Sequence, residues 1–379
     1  METKFIEAHK FNITGPDYIY KINPYIPGKP IEEVERERGI KNIIKLASNE
    51  NPLGPSPRAL RAIRAHLKNL NRYPDGSGFY LKKELVGFFN SKKGKSKNFS
   101  AGNFILGNGS NELIDIAVRT FCKKDENIIA PFPSFVAYYL AAEQLGIPLK
   151  ATALNNFTID LPIILTAIDD KTKIIFVSNP NNPTGTFIPS KKIKEFIQNV
   201  RDSILIVIDE AYIDYAGPSI LDVSDISSFP NVLVLRTFSK AYGLAGLRAG
   251  YGIGHKEMVS LMERVREPFN VNSLSLAGAA AALSDADYVE KVVKTNKEEK
   301  KYLYSSLKKS GIKYIETGAN FILCEIKGKK AVDVNESLLD MGVIVRPMDR
   351  FGYEDMIRVT IGTRAENVKL IRSLKKLFC

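Results

Sequence analysis

Histidine and cysteine are scarce in this chain of 379 residues, with three of each. The cysteines, Cys122, Cys324 and Cys379, are odd in number, far apart and in no Cys-x-x-Cys pair. That spacing speaks against a zinc site or a disulfide framework and fits a reducing compartment. The histidines, His9, His66 and His255, lie in no common motif, which argues against histidine-based triads and histidine metal sites. Long apolar runs are missing too. A stretch such as 204–208 (ILIVI) falls far short of the roughly 20 residues that span a bilayer. The opening METKFIEAHK interleaves charges with apolar residues and lacks the apolar centre of a signal peptide. There is no internal repeat, low-complexity segment or long linker. The expectation is a cytoplasmic protein with no metal and no membrane.

The remainder of the composition is that of a globular protein. Hydrophobic residues make up 44% and charged ones 25%, which excludes intrinsic disorder and collagen. The length suits two or three domains, or one large and one small. A net charge of +12 permits nucleic acid but equally suits small anionic substrates. Most of the lysines read as solvated surface, and the densest run, 92–97 (KKGKSK), reads as an exposed loop. Charge alone leaves both kinds of partner open.

The chain begins with an extended stretch containing Pro24, Pro27 and Pro30. A charged helix over 31–38 follows, stopped by Gly39. In the centre, short β-branched runs at 173–177 (KIIFV), 204–208 (ILIVI) and 232–235 (VLVL) alternate with helical patterns such as 190–200. That alternation predicts βαβ units and a mostly parallel sheet. Towards the carboxyl end, a long charged helix over about 287–310 precedes GANFILCEIK, GVIVRPM and IRVTIG. Those three read as strands of a smaller sheet, closed by a helix at about 365–377. The expected organisation is a large α/β domain over 46–267 and a smaller α+β domain over 268–379. Residues 1–45 would pack with the smaller one.

Each central strand runs into reactive groups. KIIFV leads to SNPNNPTG, ILIVI to DEAY, and VLVL to RTFSKAYGLAGLRAG. Ligands of an open α/β sheet bind outside the carboxyl ends of its strands. Lys240 is the candidate nucleophile, since an amine attacks carbonyls once its pKa is depressed. Taken alone it reads as a surface lysine; its neighbours reverse that. Asp209, ending an apolar strand, must be paired or face a cleft. It reads as the partner of a protonated ring nitrogen or as a helix cap. Asn182 in PNNPTG reads as turn chemistry or as a donor to a cofactor oxygen. LGNGSNELIDIAVRTF reads as a glycine turn and a helix buried along Ile114, Ala117, Val118 and Phe121. Gly109, Ser110 and Asn111 then stand at a helix amino terminus, a phosphate seat or an ordinary cap. It is no dinucleotide fingerprint, because Glu112 stands where a glycine is needed. Nor is the GKS at 94–96 a P-loop, because position 89 is Phe89.

The set GNGSNE, NPNNPTG, DEAY and SKAYGLAGLRAG, in this order and spacing, resembles the fold type I pyridoxal-phosphate aminotransferases. PYIPGKPIEEVERERG, YPDGSG, REPFNVNSLSLAGAAAAL, GVIVRPM and IRVTIGTRAEN resemble the histidinol-phosphate aminotransferases among them. The resemblance runs from about residue 23 to the end of the chain. It implies a large domain with a mostly parallel sheet, a smaller domain and pyridoxal 5′-phosphate as cofactor. It further implies that Lys240 links to the cofactor and shuttles a proton, that Asp209 holds the pyridinium proton, and that Asn182 and Tyr212 bond the ring hydroxyl oxygen. Phe135 would stack on the ring. The N–H groups of Ser110 and Asn111, with Ser239 and Arg248, would hold the phosphate. The family usually has Asp where this chain has Asn111, but backbone donation does not depend on that side chain. Tyr73 would reach the phosphate from a second subunit, making a homodimer. Arg358 would clamp a substrate carboxylate, Arg346 would meet a substrate phosphate, and Tyr25 would close over the substrate. The implied reaction passes an amino group between histidinol phosphate and 2-oxoglutarate in histidine biosynthesis. An aromatic aminotransferase or a threonine-phosphate decarboxylase would share the cofactor motifs. A DNA-binding regulator would need an added basic domain, for which the first 45 residues are too few and too rich in proline.

Overall fold

The structure is a computed structural model that describes residues 13–91, 98–224 and 228–378. The opening METKFIEAHK, the 92–97 run and Cys379 lie outside the described residues. In chain order the strands are β1 (Ile44–Lys45), β2 (Phe104–Asn108), β3 (Asn127–Phe132), β4 (Leu149–Asn155), β5 (Thr158–Ile159), β6 (Thr172–Ser178) and β7 (Leu205–Asp209). They continue with β8 (Val232–Thr237), β9 (Ala249–Ile253), β10 (Tyr314–Ile315), β11 (Phe321–Glu325), β12 (Val343–Ile344), β13 (Arg346–Pro347) and β14 (Met356–Thr360).

Eight strands form the large sheet in the order β2-β9-β8-β7-β6-β3-β4-β5. The run from β8 through β7, β6 and β3 to β4 is parallel, as the alternating pattern predicts. The middle strands are apolar on both faces because both faces are covered. Their side chains alternate: Ile206 and Ile208 join one buried cluster, Leu205 and Val207 the other. Register pairs Ser178 with Asp209 and Asp209 with Leu235, which brings these strand ends level. β9 is antiparallel to both β2 and β8, so β2 ends on the same edge as the parallel strands. The chain's progress across the sheet reverses between β3 and β6, which opens a crevice at that edge.

The carboxy-terminal strands form an antiparallel sheet, β10-β11-β14-β13, with its own apolar cluster around Leu303, Ile322, Val359 and Leu374. One expectation needs correction. GVIVRPM is two short strands, not one. Val343–Ile344 pairs in parallel with Ile44–Lys45, and Arg346–Pro347 joins β14. Pro347 has no N–H to donate, and it sits on the edge strand where that costs nothing. The expected helices are present as Ile31–Arg38, ended by Gly39 at φ 65°, and as Ser190–Gln198, Ala286–Lys309 and Arg364–Phe378. Two elements straddle the expected domain limits. Leu46 joins the carboxy-terminal cluster, while Ala279, Ala282 and Leu283 of helix Ser273–Leu283 pack under the large sheet. No described helix is long and apolar enough to cross a membrane.

Candidate active site

Five strand ends converge on one edge. Beyond β2 comes helix Ser110–Phe121, whose cap Gly109 has φ 78°. Beyond β3 comes Phe135, beyond β6 Asn182, and beyond β8 Ser239 and Lys240, while β7 itself ends on Asp209. A cavity of ≈ 260 Å³ is lined by Lys240, Asp209, Tyr212, Asn182, Phe135, Ser110, Asn111, Ser239 and Arg248. Nine residues singled out in the sequence therefore share one wall.

The helix carries Leu113, Ile114, Ile116, Ala117 and Val118 inward, so its axis is fixed against the sheet. Phe121 is only partly buried. The first-turn N–H groups, which have no intrahelical partner, open on the cavity. Arg248, at φ 56°, sets its guanidinium beside Gly109 and 3.4 Å from the Ser239 hydroxyl. The chemistry of this end of the cavity, a helix amino terminus beside a guanidinium, is that which suits an anion.

Lys240 sends its amine across the cavity to the carbonyl of Ser48 at 3.2 Å and lies 5.5 Å from the centre of the Tyr212 ring. Desolvation by the surrounding walls, then repulsion from Arg358, lowers the amine to about 7. At neutral pH much of it is an uncharged nucleophile. Asp209 is 3% exposed and accepts from the Tyr138 hydroxyl at 2.8 Å and from the Ala211 N–H at 3.1 Å. Burial raises its carboxyl to about 6, against the pull of those two donors. It caps no helix of consequence: only a single 3-10 turn, Ile213–Tyr215, follows. Alternation along the chain turns the next residue, Glu210, away into a buried ion pair with Arg236 at 2.8 Å.

Asn182 accepts a bond from the Arg358 guanidinium at 2.5 Å, and Arg358 also donates to the Ala47 carbonyl at 2.7 Å. The buried Nε of Arg358 has no hydrogen-bond partner among the described residues. Burial lowers this guanidinium to about 10. Tyr25 and Arg346 line a neighbouring cavity of ≈ 700 Å³, with the guanidinium 5.8 Å from the Tyr25 ring. Consecutive residues line the two cavities, Ser134 the larger and Phe135 the smaller. Tyr73 is not brought to either. It is 82% exposed and stacks on Phe269 with ring centres 4.9 Å apart.

Sequence reasoning missed two partners. Tyr138 was legible, since it stands three residues after Phe135 at the start of helix Ala137–Leu145 and so shares its face. Asn49, which donates to the Tyr212 hydroxyl at 2.9 Å, carries no local signal, because its partner is distant in the chain.

Comparison with known proteins points to one family. Residues 41–374 match the family described as aminotransferase class I and II. The chain is 44% identical over 363 residues to a histidinol-phosphate aminotransferase of Moorella thermoacetica, covering 95% of this chain and 92% of that protein. It is 42% identical over 363 residues to histidinol-phosphate aminotransferase 2 of Pseudomonas fluorescens, covering 95% and 96%. A crystal structure of histidinol-phosphate aminotransferase from Sinorhizobium meliloti, in complex with pyridoxal-5′-phosphate, superposes with a TM-score of 0.87 at 26% identity, covering 97% of this chain and 98% of that one.

Proposed function

This chain belongs to the class I and II aminotransferases, beside the histidinol-phosphate aminotransferases, and from that premise we propose that it passes the amino group of histidinol phosphate to 2-oxoglutarate in histidine biosynthesis. The products are imidazole-acetol phosphate and glutamate. One observation carries the proposal. A lysine amine held near neutrality, a buried carboxylate and an anion seat face one cavity.

That set fits pyridoxal 5′-phosphate. When bound, the cofactor supplies an aldehyde for the amine and a protonated ring that draws electrons from the substrate Cα. The chain supplies the rest. Lys240 holds the cofactor and moves a proton at Cα. Asp209 keeps the ring nitrogen protonated. Asn182 and Tyr212 hold the ring hydroxyl oxygen, and Phe135 covers the ring face. The N–H groups of Ser110 and Asn111, with Ser239 and Arg248, hold the phosphate. The partner subunit's Tyr73 completes that seat, which makes the active unit a homodimer. Arg358 offers the planar fork that grips a substrate carboxylate, in exchange for the bonds it gives Asn182 and Ala47. Arg346 meets the substrate phosphate, and Tyr25 closes over it. We assign the enzyme to the cytoplasm, in keeping with its few, widely spaced cysteines.

The test is a half-reaction. Cofactor-loaded enzyme is mixed in turn with histidinol phosphate, phosphothreonine, phenylalanine and tyrosine, and loss of the visible cofactor band is timed. Histidinol phosphate should be fastest. A faster aromatic amino acid would reassign the enzyme, and carbon dioxide from phosphothreonine would make it a decarboxylase. Arg346→Ala should weaken the phosphorylated amine selectively. Removing one side of a buried charged pair costs about 2–5 kcal/mol, roughly 30- to 5,000-fold. An equal loss for phenylalanine would sever Arg346 from the phosphate.

A further inference from the structure

Residues 46–51 thread between the large and the small sheet, and nearly every polar group in this strap is used. The Leu46 carbonyl accepts from the Thr360 N–H at 2.8 Å, and the Ala47 carbonyl accepts from Arg358. The Ser48 carbonyl accepts from Lys240, and the Asn51 amide donates to the Ala241 carbonyl at 3.0 Å. Asn49 is the centre of the strap. It is 1% exposed, and its φ of 56° is left-handed, a conformation asparagine tolerates better than most residues.

The hydrogen bonds around Asn49 form a chain that runs towards Tyr212. Its backbone N–H donates to Thr360 Oγ1 at 2.9 Å, and its carbonyl accepts from the Asn320 amide at 3.0 Å. Thr360 Oγ1 accepts there and donates its own hydrogen to Asn49 Oδ1, 3.4 Å away. That contact orients the amide, so Nδ2 faces the Tyr212 hydroxyl at 2.9 Å. The Tyr212 oxygen is thus an acceptor on its inner side. Among the described residues it has no acceptor for its own proton, and its ring lines the cavity.

We propose that Asn49 is a positioning residue that aims the Tyr212 hydroxyl proton into the cofactor cavity. It rests on the cofactor assignment made above. A proton aimed in advance stabilises the ionised form of an oxygen that meets it, without reorganisation when that charge develops. Asn49 thereby favours the deprotonated ring hydroxyl of the bound cofactor, although it touches neither cofactor nor substrate.

The experiment follows the visible absorbance of bound pyridoxal phosphate against pH, with cofactor affinity measured beside it. Asn49→Asp keeps the size and the left-handed backbone, but a carboxylate can only accept, so the hydroxyl proton turns towards it. The spectral midpoint should rise by about one pH unit or more, and the cofactor should bind more weakly. The added charge could raise the midpoint by itself, so the substitution is repeated on Tyr212→Phe. There its effect should be much smaller. Equal shifts in both backgrounds, or no shift in either, would overturn the proposal. Should Asn49→Asp not fold, Asn49→Ala gives the same comparison: a smaller rise with Tyr212 present and none with Tyr212→Phe, while no rise with Tyr212 present counts against the proposal. A wild-type protein with no borohydride-reducible band defeats the cofactor assignment and this proposal together; a normal band with unshifted variants defeats this proposal alone.

Discussion

At the scale of single residues, the groups that make the site reactive also burden the protein without its cofactor. Asp209 stands at about 6, above the 3.8 of a free carboxyl, and Lys240 at about 7, below the 10.5 of a free amine. As pH climbs from 3.8 to 6, the unfolded chain has released a proton that the folded chain keeps, so stability falls. As pH climbs from 7 to 10.5, the unfolded amine holds a proton that the folded one has lost, and stability recovers. The cofactor-free protein should therefore melt lowest between about pH 6 and 7. For Asp209, two units amount to about 3 kcal/mol. Asp209→Asn should raise the melting temperature of the cofactor-free protein at neutral pH and shrink the gain on adding pyridoxal phosphate. Lys240→Ala should erase the recovery on the alkaline side. Thermal melts with and without cofactor check both, and a lower melt for cofactor-free Asp209→Asn would refute the argument. Lys240 and Asp209 were legible because each follows an unmistakable apolar run. Asn49 was not, because hydrogen bonds across more than 300 residues leave no mark on local sequence.

At the scale of elements, what matters is where the chain leaves a strand. The apolar runs gave away β6, β7 and β8 because strands buried on both faces must be apolar throughout. β1, β12 and β13 have two residues each, and no periodicity can be read from two residues. The turn after β2 was legible as glycine, but its reason is now plain. A Cβ on Gly109 would stand 2.5 Å from Arg248 Nη2, and its φ of 78° is unkind to other residues. Gly39, at φ 65°, has open space around it. Gly39→Ala should cost about 1 kcal/mol of backbone strain, and Gly109→Ala more, because ψ 163° puts it where almost only glycine goes. Only Gly109→Ala should also displace Arg248 and weaken pyridoxal phosphate binding, by about tenfold or more at the level of one lost charged hydrogen bond. Cofactor titration of both variants separates the effects; equal affinities would mean that Arg248 does not depend on this glycine.

At the scale of the whole molecule, Tyr73 stands outside the cavity it was expected to serve. Large apolar side chains crowd the surface between residues 67 and 80, among them Leu67, Leu70, Tyr73, Phe79 and Tyr80, and Phe269 lies against Tyr73. Such surfaces mark contacts between proteins. If Tyr73 serves the site of its partner, two damaged enzymes should repair each other. Lys240→Ala subunits mixed and re-paired with Tyr73→Ala subunits give heterodimers with one site intact in both residues. Activity should reappear on mixing and grow with the heterodimer fraction. Mixtures no more active than their components would place Tyr73 outside the partner's site. The parallel sheet and the strand-end pocket were legible at this scale, whereas the packing of helix Ser273–Leu283 under the large sheet was not, since a run of alanines fits either core.

The strap between the sheets also has a history in time. Synthesis delivers residues 46–51 early, yet Asn49 bonds to Thr360, 311 positions later, and to Asn320. Closing so long a loop is slow, and it cannot begin until the last strand has left the ribosome. The large sheet, with its lysine and its carboxylate, is finished long before. Until the strap and Arg358 close over it, the Lys240 amine stays hydrated and protonated, so the reactive pocket is the last part of the molecule to become itself.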